Sequence, residues 1–149
     1  SLVSLEGEAT MPAGKAVHKG SCFCGRVSYE IKGEVGPMSN CHCTDCRKSH
    51  AAAFATYIDV PRGSFTFLKG EDQIQTYKAA SGTKRSFCRT CGSIITCWSD
   101  GDNKFLEISA STLDTPTDLK PVYHGYVRSK ASWYDILDKV QQYKTYKDA

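Results

Sequence analysis

Seven of the eight cysteines fall into three tight groups: Cys22 and Cys24 in C-x-C-G, Cys41, Cys43 and Cys46 in C-x-C-x-x-C, and Cys88 and Cys91 in C-x-x-C-G. Thiols one or two residues apart are poorly set to bridge to one another, because a disulfide demands a particular separation and torsion, but they readily present two sulfurs to one metal ion. A disulfide scaffold of the secreted kind is the competing reading, and this spacing argues against it. The ferredoxin spacing of iron–sulfur proteins is missing as well. A closed structural zinc site takes four ligands in a tetrahedron, whereas a catalytic site keeps three and leaves the fourth position for water or substrate. The most economical division of seven thiols is a closed site of Cys22, Cys24, Cys88 and Cys91 and an open one of Cys41, Cys43 and Cys46, which makes two zinc ions per chain. Gly25 and Gly92 directly follow Cys24 and Cys91, where a positive φ lets backbone amides approach the sulfurs. The closed site would pin an early strand to a late one and stabilise the fold.

A chain of 149 residues has the length of one ordinary domain with its own core. Residues 1–18 read as an N-terminal extension, whose Ser1-Leu2 start lacks an initiator Met and looks processed or artificial, and 19–149 as the zinc domain. The stretch before Gly20 holds Gly7, Pro12 and Gly14 and no continuous apolar run, so no signal segment or membrane span is expected and the reading is a cytoplasmic protein. A net charge of +3, without a Lys/Arg run, gives no electrostatic basis for a nucleic-acid partner. The aromatic residues Tyr29, Phe54, Tyr57, Phe65, Phe67 and Tyr77 suit strand cores better than a base-stacking platform.

Period-two alternation over 26–32 sets Val27, Tyr29 and Ile31 against Ser28 and Glu30, the pattern of a half-buried strand. Similar runs at 54–60, 64–68, 74–78, 84–87, 93–98, 105–110 and 122–127, separated by Gly and Pro turns, make the fold class mainly β, in one domain. Residues 111–120 read as the longest loop. Two segments read as helical. Thr44 to His50 forms a short turn that directs Cys46 back toward the metal of Cys41 and Cys43. Trp133, Ile136, Leu137, Val140 and Tyr143, behind a Ser132 cap, predict an amphipathic C-terminal helix over 132–144.

Three thiolates and a vacancy favour a substrate-derived sulfur: an entering thiol would lose its proton and stay nucleophilic. Its addition to an aldehyde makes a hemithioacetal, and the reverse step is carbon–sulfur cleavage. The partners expected are therefore a small-molecule thiol and an electrophile. Cys41, Cys43 and Cys46 are the candidate catalytic residues, with His50 as a ligand or acid–base group. Of Arg47, Lys48, Arg85 and Arg89, some could grip the carboxylates of a peptide-like thiol, with Arg47 and Lys48 the candidate contacts, although solvated side chains offsetting the thiolate charge is the plainer reading for all four. The second site could also be closed by Cys97, His42 or His50. Cys97 sits in an apolar run as a small buried residue would, and His124 reads first as a hydrogen-bonded strand histidine. Trp133 reads as core or pocket wall.

The strings Gly20-Ser21-Cys22-Phe23-Cys24-Gly25-Arg26-Val27, Cys41-His42-Cys43-Thr44-Asp45-Cys46-Arg47-Lys48 and Arg85-Ser86-Phe87-Cys88-Arg89-Thr90-Cys91-Gly92-Ser93 closely resemble the glutathione-dependent formaldehyde-activating enzyme family, also called the centromere-protein-V family. The likeness runs from about Lys19 to Trp133. It implies an Mss4-like β-rich fold, a structural zinc on Cys22, Cys24, Cys88 and Cys91, and a second zinc on Cys41, Cys43 and Cys46. The activity it implies is condensation of formaldehyde with glutathione, a carbon–sulfur lyase reaction. His50 stands where similar sequences often have glycine, and Cys97 is an additional thiol. A non-enzymatic zinc framework that presents a face to another protein is the alternative on the same fold.

Overall fold

The structure, a computed structural model, describes residues 16–102 and 104–146. Eleven strands and one short helix occur among them: β1 (Val17–Ser21), β2 (Ser28–Lys32), β3 (Met38–Cys41), α1 (Thr44–His50), β4 (Ala55–Pro61), β5 (Phe65–Lys69), β6 (Ile74–Lys78), β7 (Thr83–Cys88), β8 (Ile94–Ser99), β9 (Phe105–Ser109), β10 (Pro121–Gly125) and β11 (Gln141–Gln142). They form a three-stranded sheet in the order β1-β2-β5 and an eight-stranded sheet in the order β11-β10-β3-β4-β9-β8-β7-β6. No described helix is long and apolar enough to cross a membrane.

The main core lies between the sheets. Val27, Tyr29 and Ile31, on one side, meet Met38, Ile58, Val60, Leu106 and Ile108 on the other, all buried. Each fully buried apolar side chain contributes roughly 1.5–3 kcal/mol. Strand alternation therefore gives the eight-stranded sheet two unlike faces. Ile58 is paired with Ile108 and Val60 with Leu106 toward the core, while Tyr57 and Asp59 of β4, Glu107 of β9, Cys97 of β8 and Arg85 of β7 take the opposite face. Ile95 departs from the alternation because the β7–β8 register slips there, from Ser86↔Thr96 to Phe87↔Ile94. It is the extra residue of a bulge and joins the core.

Every strand expected from periodicity is present within a residue or two, and α1 spans the expected 44–50. β1 and β3, with sequences VHKGS and MSNC, carry no clear alternation and were not expected. The C-terminal helix over 132–144 does not form. The segment runs as turns and extended chain into β11, which adds parallel to β10. The physical reason is that its apolar stripe meets no core: Trp133 is 73 % and Leu137 91 % exposed, and Trp133 is neither core nor pocket wall. A helix of this length is marginal without a buried face. The backbone instead bonds to β10 and the turn that follows it, with Tyr143 N–H donating to His124 O and Val127 N–H to Tyr143 O. Tyr77 is also an exception to its expected core place, at 63 % exposure on edge strand β6.

Candidate functional site

The turn after β1 and the turn after β7 are built alike. Gly25 N–H donates to Cys22 O at 3.1 Å and Gly92 N–H to Cys88 O at 2.7 Å, and both glycines take the positive φ expected of them, +79° and +81°. The two turns bring Cys22, Cys24, Cys88 and Cys91 together, with all four sulfurs within 4.8 Å of one another. The Cys22–Cys24 and Cys24–Cys88 sulfur separations are 3.6 and 3.8 Å. A tetrahedron with metal–sulfur bonds of ~2.3 Å has edges of about 3.8 Å, so these residues could hold a zinc ion. Val27 N–H donates to Cys22 Sγ, and Cys88 is fully buried.

Cys41, at the end of β3, and Cys43 and Cys46, around the start of α1, form the second group, again with sulfurs within 4.8 Å. Cys43 is the N-cap of α1, its sulfur accepting the Cys46 N–H at 3.3 Å. Hydrogen bonds from the Cys41 and Cys46 thiols, then from backbone amides, hold Cys43 well below an ordinary thiol, while the same sharing pushes Cys41 up. Neither Cys97 nor His50 joins the three-sulfur group.

These thiols line a cavity of about 400 Å³ on the sheet face opposite the core, a size that suits a small ligand. Asp59, Glu107, Cys97 and Arg85 stand side by side across β4, β9, β8 and β7, a row about 14 Å long at one strand spacing per step. All four line the cavity. Arg85 is 6 % exposed, donates from Nη2 to Cys46 Sγ at 3.7 Å, and has no partner at Nε. Burial, then the Asp59 charge, pushes the Glu107 carboxyl up to about 7, against the pull of Arg85. Burial and Glu107 push Cys97 up to about 12. Cys97 is a buried neighbour of Cys46, as its apolar run suggested.

Tyr57 lines this cavity and is hydrogen-bonded to His50, which lines a second one. Its hydroxyl lies 3.5 Å from Cys46 Sγ and 2.9 Å from His50 Nε2, and burial raises its phenol. His50 lines the second cavity, not the first, and burial with the nearby Arg85 lowers it to about 4. Arg47 and Lys48 do not line the three-cysteine cavity; Arg85 and Glu107 do. Sequence reading takes Arg85 first as offsetting charge, as one of four cations of which some could grip a thiol's carboxylates, and does not single out Glu107, because the signal is cross-strand register and not local spacing. His124 is buried with both ring nitrogens hydrogen-bonded.

Glu107→Gln has a pH signature. Unfolded, the carboxyl titrates near 4.5; folded, near 7. Below pH 4.5 both states are protonated and nothing is lost, whereas above pH 7 the folded state carries a disfavoured charge. The variant should match the wild type below pH 4.5 and be more stable at pH 8, by at most about 3 kcal/mol. Urea unfolding at the two pH values measures this. Equal stabilisation at both would show that the carboxyl is not raised.

The sequence profile of the glutathione-dependent formaldehyde-activating enzyme family matches residues 17–129. Proteins from Aspergillus flavus and Aspergillus oryzae, each provisionally named a glutathione-dependent formaldehyde-activating enzyme, are 26 % identical over 129 residues, 83 % of this chain; the chain spans 65 % of their length. An uncharacterized lyase of Schizosaccharomyces pombe is 24 % identical, covering 85 % of this chain and 90 % of its own. The crystal structure of a Rhodobacter sphaeroides protein superposes with a TM-score of 0.56 at 22 % identity, over 67 % of this chain and 91 % of that one, a likeness of fold.

Proposed function

Since this chain belongs to the glutathione-dependent formaldehyde-activating enzyme family, we propose that it is a zinc-dependent, carbon–sulfur lyase-like enzyme that joins glutathione or a similar thiol to formaldehyde or another small electrophile, and splits the same adduct. The observation that carries this reading is the opening of Cys41, Cys43 and Cys46 onto a cavity of ligand size. The donor set suits zinc, being all sulfur, with N–H donors from Cys46 and Arg85 already aimed at two of the three thiols. Two zinc ions per chain are proposed, one in each cysteine group. Zinc held by Cys41, Cys43 and Cys46 would supply a fourth position at which a thiol is acidified. Eight free thiols suit a reducing compartment, and the cytoplasm is the location proposed.

The chain's own residues account for the rest. Arg85, fixed in the wall with an unpaired Nε, offsets the thiolate charge and orients an anionic group of the entering ligand. Glu107, with a carboxyl near neutrality, takes the thiol proton and returns it to the aldehyde oxygen as the carbon–sulfur bond forms. In reverse it takes the hydroxyl proton as that bond breaks, and the proton ends on sulfur. Tyr57, held by His50, forms part of the cavity wall beside Cys46.

The test is exchange NMR of ¹³C-formaldehyde with glutathione at pH 7. The zinc-loaded protein should speed adduct exchange well above the buffer rate, and calorimetry should show glutathione binding. Bound glutathione with no rate increase would overturn the enzymatic reading; two zinc ions with no thiol binding would favour a protein-binding framework.

A further inference from the structure

The residue between Cys41 and Cys43 is His42, and its ring is fully buried. His42 Nε2 lies 2.8 Å from His124 Nδ1, and His124 Nε2 lies 3.1 Å from each carboxylate oxygen of Asp138. A carboxylate only accepts, so His124 donates from Nε2, and in the neutral ring its Nδ1 accepts the N–H of His42. This leaves His42 Nδ1 as a buried acceptor without a partner, a milder state than an orphaned N–H. The carboxylate thereby sets the tautomer and direction of both rings.

The chain of contacts ends in the cysteine loop. Phe54 closes over His42 at 4.9 Å between ring centroids, and His42 N–H donates to Gly125 O at 2.9 Å. With ring and amide both held, the backbone of His42 is fixed, and with it the directions of the two flanking thiols. Asp138 is brought in by the segment that bonds to β10 through Tyr143 N–H to His124 O. That segment lies beyond residue 129, where the family match ends.

We propose that Asp138, acting through His124 and His42, is a positioning residue that sets how tightly Cys41 and Cys43 hold a metal ion. The inference rests on the reading of Cys41, Cys43 and Cys46 as a metal site. The Asp138 side chain is half-exposed, so its removal leaves the core intact.

The experiment follows zinc release from the loaded full chain into excess EDTA, where two sites give two kinetic pools. Asp138→Ala should empty one pool about tenfold faster or more and leave the other unchanged, while Asp138→Asn, which keeps an acceptor for His124, should stay within about threefold of wild type. Nitrogen-15 shifts of His124 should report a proton on Nε2 in the wild type and in Asp138→Asn. Both pools unchanged in Asp138→Ala, or both accelerated equally, would overturn the positioning role alone. A wild-type protein with a single pool would overturn it together with the second-site metal reading.

Discussion

Cys88→Ser is expected to leave the chain unfolded at room temperature. Cys88 has no exposed surface and its sulfur sits 3.8 Å from that of Cys24, 64 residues away along the chain. The length-dependent part of closing such a loop is about 4 kcal/mol, which the four-sulfur group must offset. Structural zinc sites contribute on the order of 10–16 kcal/mol of apparent binding, against roughly 5–15 kcal/mol for the whole stability of a domain. Losing one ligand of four, and leaving a buried hydroxyl in its place, removes more than the domain has to spare. Far-UV circular dichroism and zinc content of the purified variant test this. A folded variant with a sharp thermal transition would mean that the group is not the structural centre.

Cys43→Ser should have the opposite profile: a folded protein holding one zinc ion, with adduct exchange reduced to the buffer rate. The fold survives because Cys43 is the N-cap of α1 and Ser is a favoured N-cap, able to accept the Cys46 N–H that the sulfur now accepts. The stability change should stay within about 1 kcal/mol on that ground. The site does not survive, since the thiol held most strongly toward its thiolate form is gone. Metal analysis, a thermal melt and the exchange assay on one preparation separate the effects. If Cys43→Ser and Cys88→Ser unfold alike, the division into framework and reactive centre is wrong.

Ligand counting on cysteine spacing reached both sulfur groups, because metal ligands cluster locally in sequence even when the site joins distant strands. Periodicity reached β2 and β4 through β10 for the same local reason. It could not reach β3, whose residues Met38 to Asn40 are all buried and show no alternation. It misread 132–144, where a stripe at helical spacing is left exposed because strand addition to β10 captures the backbone. The cavity wall was the least legible part. Arg85, Cys97, Glu107 and Asp59 belong together only through the register of four strands, which no local motif encodes.

The two unlike faces of the eight-stranded sheet bear on how a lineage of such proteins can change. Ile58, Val60, Leu106 and Ile108 hold the sheets together, while Asp59, Glu107, Cys97 and Arg85, one step along or across, touch the cavity. Exchange at the second set alters what the cavity admits and leaves the first set, and the four-sulfur knot, where they are. The frame can thus stay constant over long descent while the pocket is recut one alternate residue at a time, so that a shared fold and shared cysteines are compatible with divergent substrates.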